Sequence, residues 1–426
     1  MIKRWIKQIS EFLPNKRIIH NMGFLVFGEM VAKILMFFIT IYLARTLSPD
    51  LYGQYSLAFN FAMGFLFLIN FGMNTIILRD GSKDNSKLSE LINKSFTIKL
   101  YFGLATIALI NIVNYYFLPY DMNQKILITV ASITVLLKEL INLLNVTFKA
   151  VERMNYNSIV RISEVILFSI IVFFALMYSA SPMAVLISWI ISEIIVIFIQ
   201  YFFSRKFIKR KFTLVIDWDF CQRVIKQSFW LGLAAFLASL YGTVNIFIIS
   251  ILVSTSGVAF YTVAWQLVSA GTLIRGVIND AIFPNTCKKI YDGKYAYKLS
   301  KYITIASIIS ALGALIITVL AKYIIILAFG EEYSPAIPVL QVMIWYVPIF
   351  IYNIWACQVM DSTNNQKYHM YNELFILSSS LIFSYLLILK LGIVGAAWGV
   401  VISRTLGTIF LNYFAWKIVG KIKNEN

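Results

Sequence analysis

The sequence predicts an all-α, polytopic membrane protein, and two features of its composition lead to that fold class. Hydrophobic residues make up 60% of the 426 residues, and charged residues make up 13%. About twelve apolar stretches follow one another along the chain, most of them close to or above the ~20 residues that cross a bilayer as a helix. The predicted spans are residues 20–44, 53–78, 95–119, 126–149, 158–180, 183–203, 227–252, 257–287, 302–328, 335–359, 370–389 and 392–416.

The loops between these spans alternate between basic and non-basic, which predicts the orientation of the chain. About 27 of the 37 Lys and Arg side chains fall in loops on one side and about four on the other. Because cytoplasmic loops are rich in Lys and Arg, both termini are predicted to be cytoplasmic. The net charge of +17 is then mainly a signal of topology. It does not indicate nucleic-acid binding, since no segment is long enough to form a basic soluble module.

The amino-terminal segment, residues 1–19, is predicted to lie on the membrane surface. Apolar and basic side chains alternate at helical spacing within residues 2–13, which is typical of a helix on an anionic inner leaflet. The first span is too long for the apolar region of a signal peptide and is interpreted as a retained anchor. The three cysteines and the two histidines show no paired spacing, so neither a disulfide nor a metal site is expected.

An internal repeat divides the chain into two halves of six spans each. Residues 51–59 (LYGQYSLAF) resemble residues 257–265 (GVAFYTVAW) at an offset of roughly 206 residues. Six is an even number, so both halves enter from the same side and the repeat is parallel. The predicted organisation comprises a six-helix bundle at 20–203, a cytoplasmic basic linker at 204–226, a six-helix bundle at 227–419 and a cytoplasmic tail at 420–426. Two bundles that rock about a central cavity form an alternating-access transporter.

Three short motifs add a family resemblance to this organisation. They are LARTLSPDLYGQY at 43–55, FGEEY at 329–333 and GIVGAA at 392–397. In this order and spacing the chain resembles the polysaccharide biosynthesis family of lipid-linked oligosaccharide flippases (Wzx-type). That family lies in the multidrug/oligosaccharidyl-lipid/polysaccharide exporter superfamily, together with the multidrug-and-toxin-extrusion transporters.

The resemblance implies a function and a location. The substrate would be an undecaprenyl-pyrophosphate-linked oligosaccharide, flipped from the cytoplasmic to the outer leaflet of a bacterial plasma membrane. The product would feed O-antigen, capsule or exopolysaccharide synthesis. A polysaccharide polymerase and its chain-length machinery would be the protein partners, and nucleic acid would not be one.

Ionisable residues inside spans are costly in lipid and are candidates for function by default. Lys33 in the first span and Arg275 in the eighth are the predicted contacts to the pyrophosphate, because buried cations form charge-assisted hydrogen bonds to phosphate oxygens. The superfamily resemblance implies that spans one, two, seven and eight line the cavity. It thereby adds three polar candidates on those spans, namely Asn74, Asn245 and Gln266. An alternative interpretation is that Glu29, one turn before Lys33, simply neutralises it.

Four carboxylates are candidates for coupling to an ion gradient: Glu29, Asp280, Glu139 and Glu193. Neither a catalytic site nor a cofactor is expected, and no phosphate-cradling glycine loop for ATP is present in the sequence. Protons, sodium ions and the membrane potential all remain open as the driving force, since moving two charges across ~100 mV is worth about 4–5 kcal/mol. Glu193 and Arg404 occupy equivalent mid-span positions in the two halves. They pair across the halves or serve the lumen of their own half.

Two other functions compete with the flippase. An ion-coupled extruder of drugs or toxins would share the fold, but it would favour acidic groups over central cations such as Lys33 and Arg275. An integral-membrane glycosyltransferase or polymerase would need a long outward loop with catalytic groups. The predicted outward loops, near 45–52, 119–125 and 329–334, are short. The sequence therefore favours the flippase.

Overall fold

The computed structural model describes residues 16–84, 86–205, 217–291, 293–363, 365 and 367–425. These residues form sixteen α-helices, one 3₁₀ helix and no strand. The predicted all-α fold is therefore confirmed. The predicted surface helix at 2–13 lies outside the described residues.

The chain forms two compact units, which are described separately. One comprises Arg17–Phe247 and the other contains Ile248–Asn426. Of the predicted basic linker at 204–226, residues 206–216 lie outside the described residues.

Nine helices form the first unit, and the ninth continues into the second unit. Their bounds are α1 Lys16–Thr46, α2 Pro49–Met63, α3 Leu66–Asn70, α4 Met73–Lys83, α5 Leu88–Phe117, α6 Met122–Ala150, α7 Met154–Tyr178, α8 Pro182–Ser204 and α9 Trp218–Leu252. Start signals in the sequence explain several of these bounds. Ser48 and Ser181 accept hydrogen bonds from backbone N–H groups of the first turn, and each is followed by a proline in the first helical positions.

The predicted second span is not one straight helix. It is divided into α2, α3 and α4, and the last of these is bent by 45° from the preceding pair. Phe71 (φ 40°) and Gly72 (φ 76°) are both left-handed, which ends α3 and turns the chain into α4. The Asn70 side chain accepts a hydrogen bond from the backbone N–H of Asn74, so one donor freed by the break is satisfied.

The second unit continues with α10 Thr255–Lys289, α11 Gly293–Phe329, α12 Ala336–Met343, α13 Tyr346–Tyr352, α14 Ile354–Ser362, α15 Lys367–Leu391 and α16 Ile393–Glu425. A 3₁₀ turn at Glu331–Tyr333 follows α11, and Gly330 precedes it with a φ of 96°. The predicted tenth span thus consists of three consecutive short helices, α12 to α14. Together they are apolar and long enough to cross a membrane.

Within the described residues, nine helical segments are long and apolar enough to cross a membrane, or ten if the bent pair at Pro49–Lys83 is counted as one span. The helices α9 and α10, at the predicted spans seven and eight, are each 35 residues long but are not among the nine. A polytopic membrane protein is therefore confirmed, whereas the count of twelve spans stays a prediction. Large apolar side chains are exposed along the outer helix faces, such as Leu327 at 80%, as lipid contact requires.

Asp217 fixes the beginning of α9 within the first unit. Its carboxylate accepts a hydrogen bond from the backbone N–H of Phe220 at 2.8 Å and contacts the Lys94 ammonium of α5, also at 2.8 Å. The hydrogen bond from Lys94 is the main reason that the pKa of Asp217 is below its ordinary value, and the hydrogen bond from Phe220 lowers this pKa further. Asp217 is therefore a helix cap with an ion-pair partner.

Candidate functional site

The second unit holds Arg275 next to an aromatic ring. The guanidinium Cζ lies 4.0 Å from the centroid of the Phe350 ring, and Nη2 donates to the Cys357 thiol at 3.3 Å. Gly271, one turn earlier on α10, permits this placement. A Cβ built there would lie 3.0 Å from the Val347 side chain, so α10 and α13 approach closely just before Arg275 reaches Phe350.

Arg275 has little to balance its charge. No carboxylate of the described residues lies within ion-pair distance of it, and its Nε is buried without a hydrogen-bond partner. A thiol is a weak acceptor, so the bond to Cys357 does not replace an anionic partner. A guanidinium in an apolar unit that has no carboxylate partner among the described residues is a candidate anion site.

A second arginine shares the same ring. Arg404 of α16 is 5% exposed, and its Cζ lies 5.0 Å from the Phe350 centroid and 5.3 Å from the Tyr346 centroid. Its Nη1 lies 3.8 Å from a carboxylate oxygen of Glu373, a distance at the outer limit of an ion pair. Phe350, Tyr346 and Glu373 all belong to the second unit, as Arg404 does.

In the first unit, by contrast, buried charges are closely paired. Lys99 of α5 and Glu139 of α6 form a fully buried ion pair. Asn74 donates to Glu139 at 2.8 Å and accepts from Lys99 at 3.0 Å, while Asn142 donates to the other oxygen of Glu139 at 3.0 Å. Gly103, one turn after Lys99, allows the two helices to approach, since a Cβ there would overlap Leu136 at 2.3 Å.

A second charged network connects α1, α6 and α7. Glu164 is buried and contacts both Lys138 and Arg161, the latter with 3.2 Å between Nη1 and Oε2. Arg161 also lies 3.7 Å from Glu29. Lys33 lies near Glu29 and Arg161 and is half-buried. Glu29 therefore makes its ion pair with Arg161, and Lys33 has no carboxylate within ion-pair distance among the described residues.

Glu193 differs from the other buried acids of this unit. It is 0% exposed on α8, and neither carboxylate oxygen has a hydrogen-bond partner among the described residues. Lys138 and Glu164 are the charged groups that act on it, and the Tyr55 hydroxyl is close enough to interact with it as well. A buried carboxylate without a partner is strongly disfavoured as an anion.

The remaining predicted residues lie apart from these clusters. Asn245 of α9 is 1% exposed and its side-chain oxygen has no hydrogen-bond partner among the described residues, whereas Gln266 of α10 is half-buried. The Asp280 side chain lies outside what the structure describes. The structure thus brings Asn74 together with Glu139, but it does not group Lys33, Asn74 and Asn245 at one site. The substrate and coupling roles of all these residues stay predictions.

The sequence reasoning missed the role of Lys99 and assigned no ligand to Arg404. Both are cations within long apolar segments, so the sequence could have identified each of them as a candidate. Their partners could not be predicted from the sequence, because Lys99 contacts Glu139 across 40 residues and Arg404 contacts Phe350 across 54.

Comparison with known proteins places these clusters in a transporter fold. The family model described as polysaccharide biosynthesis protein matches residues 18–289. The capsular polysaccharide biosynthesis protein CapF of Staphylococcus aureus is 22% identical over 424 residues, which is 94% of this chain and 100% of that protein.

Several solved structures share the fold. The lipid II flippase MurJ in an inward closed conformation has a TM-score of 0.76 at 16% identity, covering 93% of this chain and 89% of that one. An inward-facing multidrug resistance transporter of the MATE family has a TM-score of 0.70 at 14% identity, with coverages of 94% and 96%. The predicted resemblance to the polysaccharide biosynthesis family is confirmed by the family model, and the two structures show the shared fold.

Proposed function

The chain belongs to the polysaccharide biosynthesis protein family, and from this premise we propose that it flips a lipid-linked oligosaccharide across the bacterial plasma membrane. The substrate is an undecaprenyl-pyrophosphate-linked sugar unit that moves from the cytoplasmic to the outer leaflet. It serves O-antigen, capsule or exopolysaccharide synthesis. Both termini are cytoplasmic in this proposal, as the distribution of Lys and Arg predicts.

Arg275 is the observation that carries the proposal. Its guanidinium packs on Phe350 within an apolar unit and has no carboxylate at ion-pair distance in the described part of the chain. A pyrophosphate supplies about two negative charges and several acceptor oxygens. Binding it would compensate the arginine at the point where the lipid headgroup has to pass the apolar interior of the membrane.

An extruder of drugs or toxins is the second candidate, because the MATE-type fold is shared. Cationic drugs require carboxylates, and two of the buried acids of the first unit are already engaged: Glu139 with Lys99, and Glu164 with Lys138 and Arg161. Glu193 is the buried acid whose oxygens have no hydrogen-bond partner among the described residues. Arg275, which has no carboxylate partner among the described residues, repels a cationic substrate and attracts an anionic one. The flippase is therefore favoured.

Reconstituted vesicles separate the two functions. The purified protein is inserted into liposomes that contain a fluorescent prenyl-diphosphate-linked sugar, and transfer between leaflets is measured by its loss of protection from an external quencher. We expect faster transfer than in protein-free liposomes, and no faster efflux of a cationic dye. Dye efflux without transfer of the lipid-linked sugar would contradict the proposal.

We further propose that Glu193 is the group that couples transport to a proton gradient. Of the four predicted coupling carboxylates, Glu139 is neutralised by Lys99, Glu29 is half-exposed and contacts Arg161, and Asp280 is placed by sequence alone. Glu193 is fully buried, and its oxygens have no hydrogen-bond partner among the described residues. Its ionisation next to the Lys138–Glu164 pair would offer Lys138 a second anionic partner, which gives the unit two alternative arrangements.

Replacing Glu193 by glutamine is expected to remove the response of transport to an imposed pH gradient. Glutamine keeps the shape but cannot ionise, so transfer in vesicles should proceed at one rate whichever side is acidic. Asp121→Asn serves as the control, because Asp121 is an exposed carboxylate at the beginning of α6 and is not one of the four candidates. A Glu193→Gln protein that still follows the gradient as the parent does would show that protons couple elsewhere.

A further inference from the structure

A cavity lies in the second unit near the carboxyl end of α16. Its volume is about 380 Å³, within the range of about 300–1,000 Å³ that is usual for small-molecule sites. Three parts of the chain border it: the end of α16, the connection between α14 and α15 with the first turn of α15, and Tyr291 just beyond α10. Neither Arg275 nor any other candidate residue discussed above lines this cavity.

Two lysines give the cavity its charge. Lys417 and Lys421 are four residues apart on α16, so they lie on one face of the helix, and both line the cavity. None of the described residues that line it is acidic. Asp361, at the end of α14, contacts His369 at 3.2 Å instead. Glu425 follows Lys421 by one further turn, and its side chain lies outside the described part of the chain. The lining therefore favours an anionic ligand.

A hydrogen-bonded turn between α14 and α15 forms another part of the lining. Asn365 donates from Nδ2 to the backbone oxygen and to the hydroxyl of Thr363, each at 3.0 Å. The Thr363 hydroxyl in turn donates to the backbone oxygen of Val359 at 2.7 Å. These bonds orient the amide of Asn365, whose side-chain oxygen can only accept. A cavity lined by two ammonium groups and an amide oxygen matches a ligand that carries both an anion and a hydroxyl group.

Apolar side chains complete the lining. The Tyr368 ring stacks on the Phe414 ring of α16 with 4.6 Å between their centroids, and both residues line the cavity. Ile418 and Ile422 of α16 line it as well. Apolar surface gains free energy when it is covered by hydrocarbon, which a small inorganic ion does not provide. The lining therefore suits a phosphate that is attached to a lipid.

Exposed aromatic residues place the cavity at the level of the lipid headgroups. Tyr291 is 57% exposed and Trp416, next to Lys417, is 41% exposed. Tyrosine and tryptophan are enriched where membrane meets water, because one end of each side chain is apolar and the other is polar. The end of α16 and the connection after α10 lie on the side that the charge distribution predicts to be cytoplasmic. The leaflet on that side has a negative surface potential from its anionic lipids.

We propose that this cavity binds the headgroup of an anionic phospholipid of the inner leaflet, with Lys417 and Lys421 on the phosphate and Asn365 accepting from a headgroup hydroxyl. Phosphatidylglycerol has this chemistry, since its phosphodiester is anionic and its terminal glycerol carries hydroxyl groups. A zwitterionic headgroup brings an ammonium group close to the two lysines, which repel it. The ligand is a lipid of the surrounding membrane and is distinct from the transported substrate, so the proposal does not depend on the proposed function.

Lipid titrations of the full chain, followed by native mass spectrometry, test the site. The protein in an uncharged detergent is titrated with phosphatidylglycerol, phosphatidylmethanol or phosphatidylcholine of equal acyl length, and the dissociation constant of the first bound lipid is measured. We expect phosphatidylglycerol to bind at least about tenfold more tightly than phosphatidylcholine, because two charge-assisted contacts are made. Phosphatidylmethanol keeps the charge without the hydroxyl groups, so it should bind about fivefold more weakly than phosphatidylglycerol. Equal binding of these two anionic lipids would overturn the assignment of Asn365.

Variants locate the binding. Lys417→Gln and Lys421→Gln should each weaken phosphatidylglycerol binding about fivefold, as expected for one basic residue that faces an anionic lipid. The double variant should bind phosphatidylglycerol no more tightly than phosphatidylcholine. Lys298→Gln/Lys301→Gln is the charge-matched control, because these exposed lysines of α11 belong to the same unit and do not line the cavity. This control should leave all three affinities unchanged.

Three results would overturn the proposal. The first is parental phosphatidylglycerol binding in the Lys417→Gln/Lys421→Gln variant. The second is an equal loss in the control variant, since net charge and not this cavity would then attract the lipid. The third is competition by glycerol phosphate as strong as that of the lipid, which would make the ligand a soluble phosphate.

A folding defect is distinguished by two further measurements. The lipid-free double glutamine variant should melt at the temperature of the parent, because both lysines are exposed. Lys417→Arg/Lys421→Arg keeps both charges and should retain the preference for phosphatidylglycerol. Loss of that preference in a stably folded arginine variant would contradict a site that depends on these two charges.

Discussion

Replacing Arg275 by alanine is expected to reduce export of the surface polysaccharide about ten- to hundredfold, while the protein remains in the membrane. The reason is the loss of a charged donor set at a site of low dielectric, where hydrogen bonds to a charged group are worth about 1.5–3 kcal/mol. Arg275→Lys keeps the charge but not the planar fork of donors, so it should retain an intermediate activity. Surface polysaccharide in a complemented deletion strain is the measurement, normalised to the amount of protein in the membrane.

The matched control for this variant is Arg205→Ala. Arg205 is an exposed arginine that directly follows α8, and its removal should leave export unchanged. A loss of protein from the membrane in Arg275→Ala would instead indicate a folding role, which the Arg275→Lys variant would then test, since it maintains the contact to Phe350. Export at the parental level in Arg275→Ala would remove the main support for the anionic substrate.

The sequence predicted the fold well because lipid restricts the choices. A long apolar stretch bounded by charged loops has few alternatives to a helix, since every backbone group has to find its partner within the segment. The break at Phe71–Gly72 was not foreseen, because the apolar residues continue across it. Only the left-handed backbone conformations reveal that α3 ends there.

The candidate site could be predicted only in part, for a different physical reason. A charged residue in a long apolar segment is costly and can be recognised from the sequence, and Arg275 and Glu193 became candidates for that reason. Which charges are compensated depends on contacts between helices far apart in sequence. Asn74 illustrates this. The sequence predicts that it lines a cavity, whereas the hydrogen bonds to Glu139 and Lys99 become visible only in the structure.

The Lys99–Glu139 pair is expected to be the most sensitive point for the stability of the first unit. Lys99→Met should lower the free energy of unfolding by about 3–5 kcal/mol, because it leaves the Glu139 carboxylate buried with only amide donors. The double variant Lys99→Met/Glu139→Leu should recover most of that loss, since it removes both charges and retains apolar volume. Unfolding in a denaturing detergent, followed by tryptophan fluorescence, provides the measurement.

The control for this pair is Lys87→Met, since Lys87 is a surface lysine whose side chain is 71% exposed and makes an ion pair with Asp84. Its replacement should cost at most about 1 kcal/mol, as is typical of exposed ion pairs.

The double variant Lys99→Met/Glu139→Leu also tests the role of Asn74, because it removes both charged partners of that side chain. If it exports polysaccharide normally, the network of Lys99, Glu139 and Asn74 stabilises the first unit and does not contact the substrate. If it folds as stably as the parent but no longer exports, these residues belong to the transport pathway, and the predicted substrate role of Asn74 gains direct support. A single Lys99→Met variant as stable as the parent would contradict the assignment of a buried, mutually dependent pair.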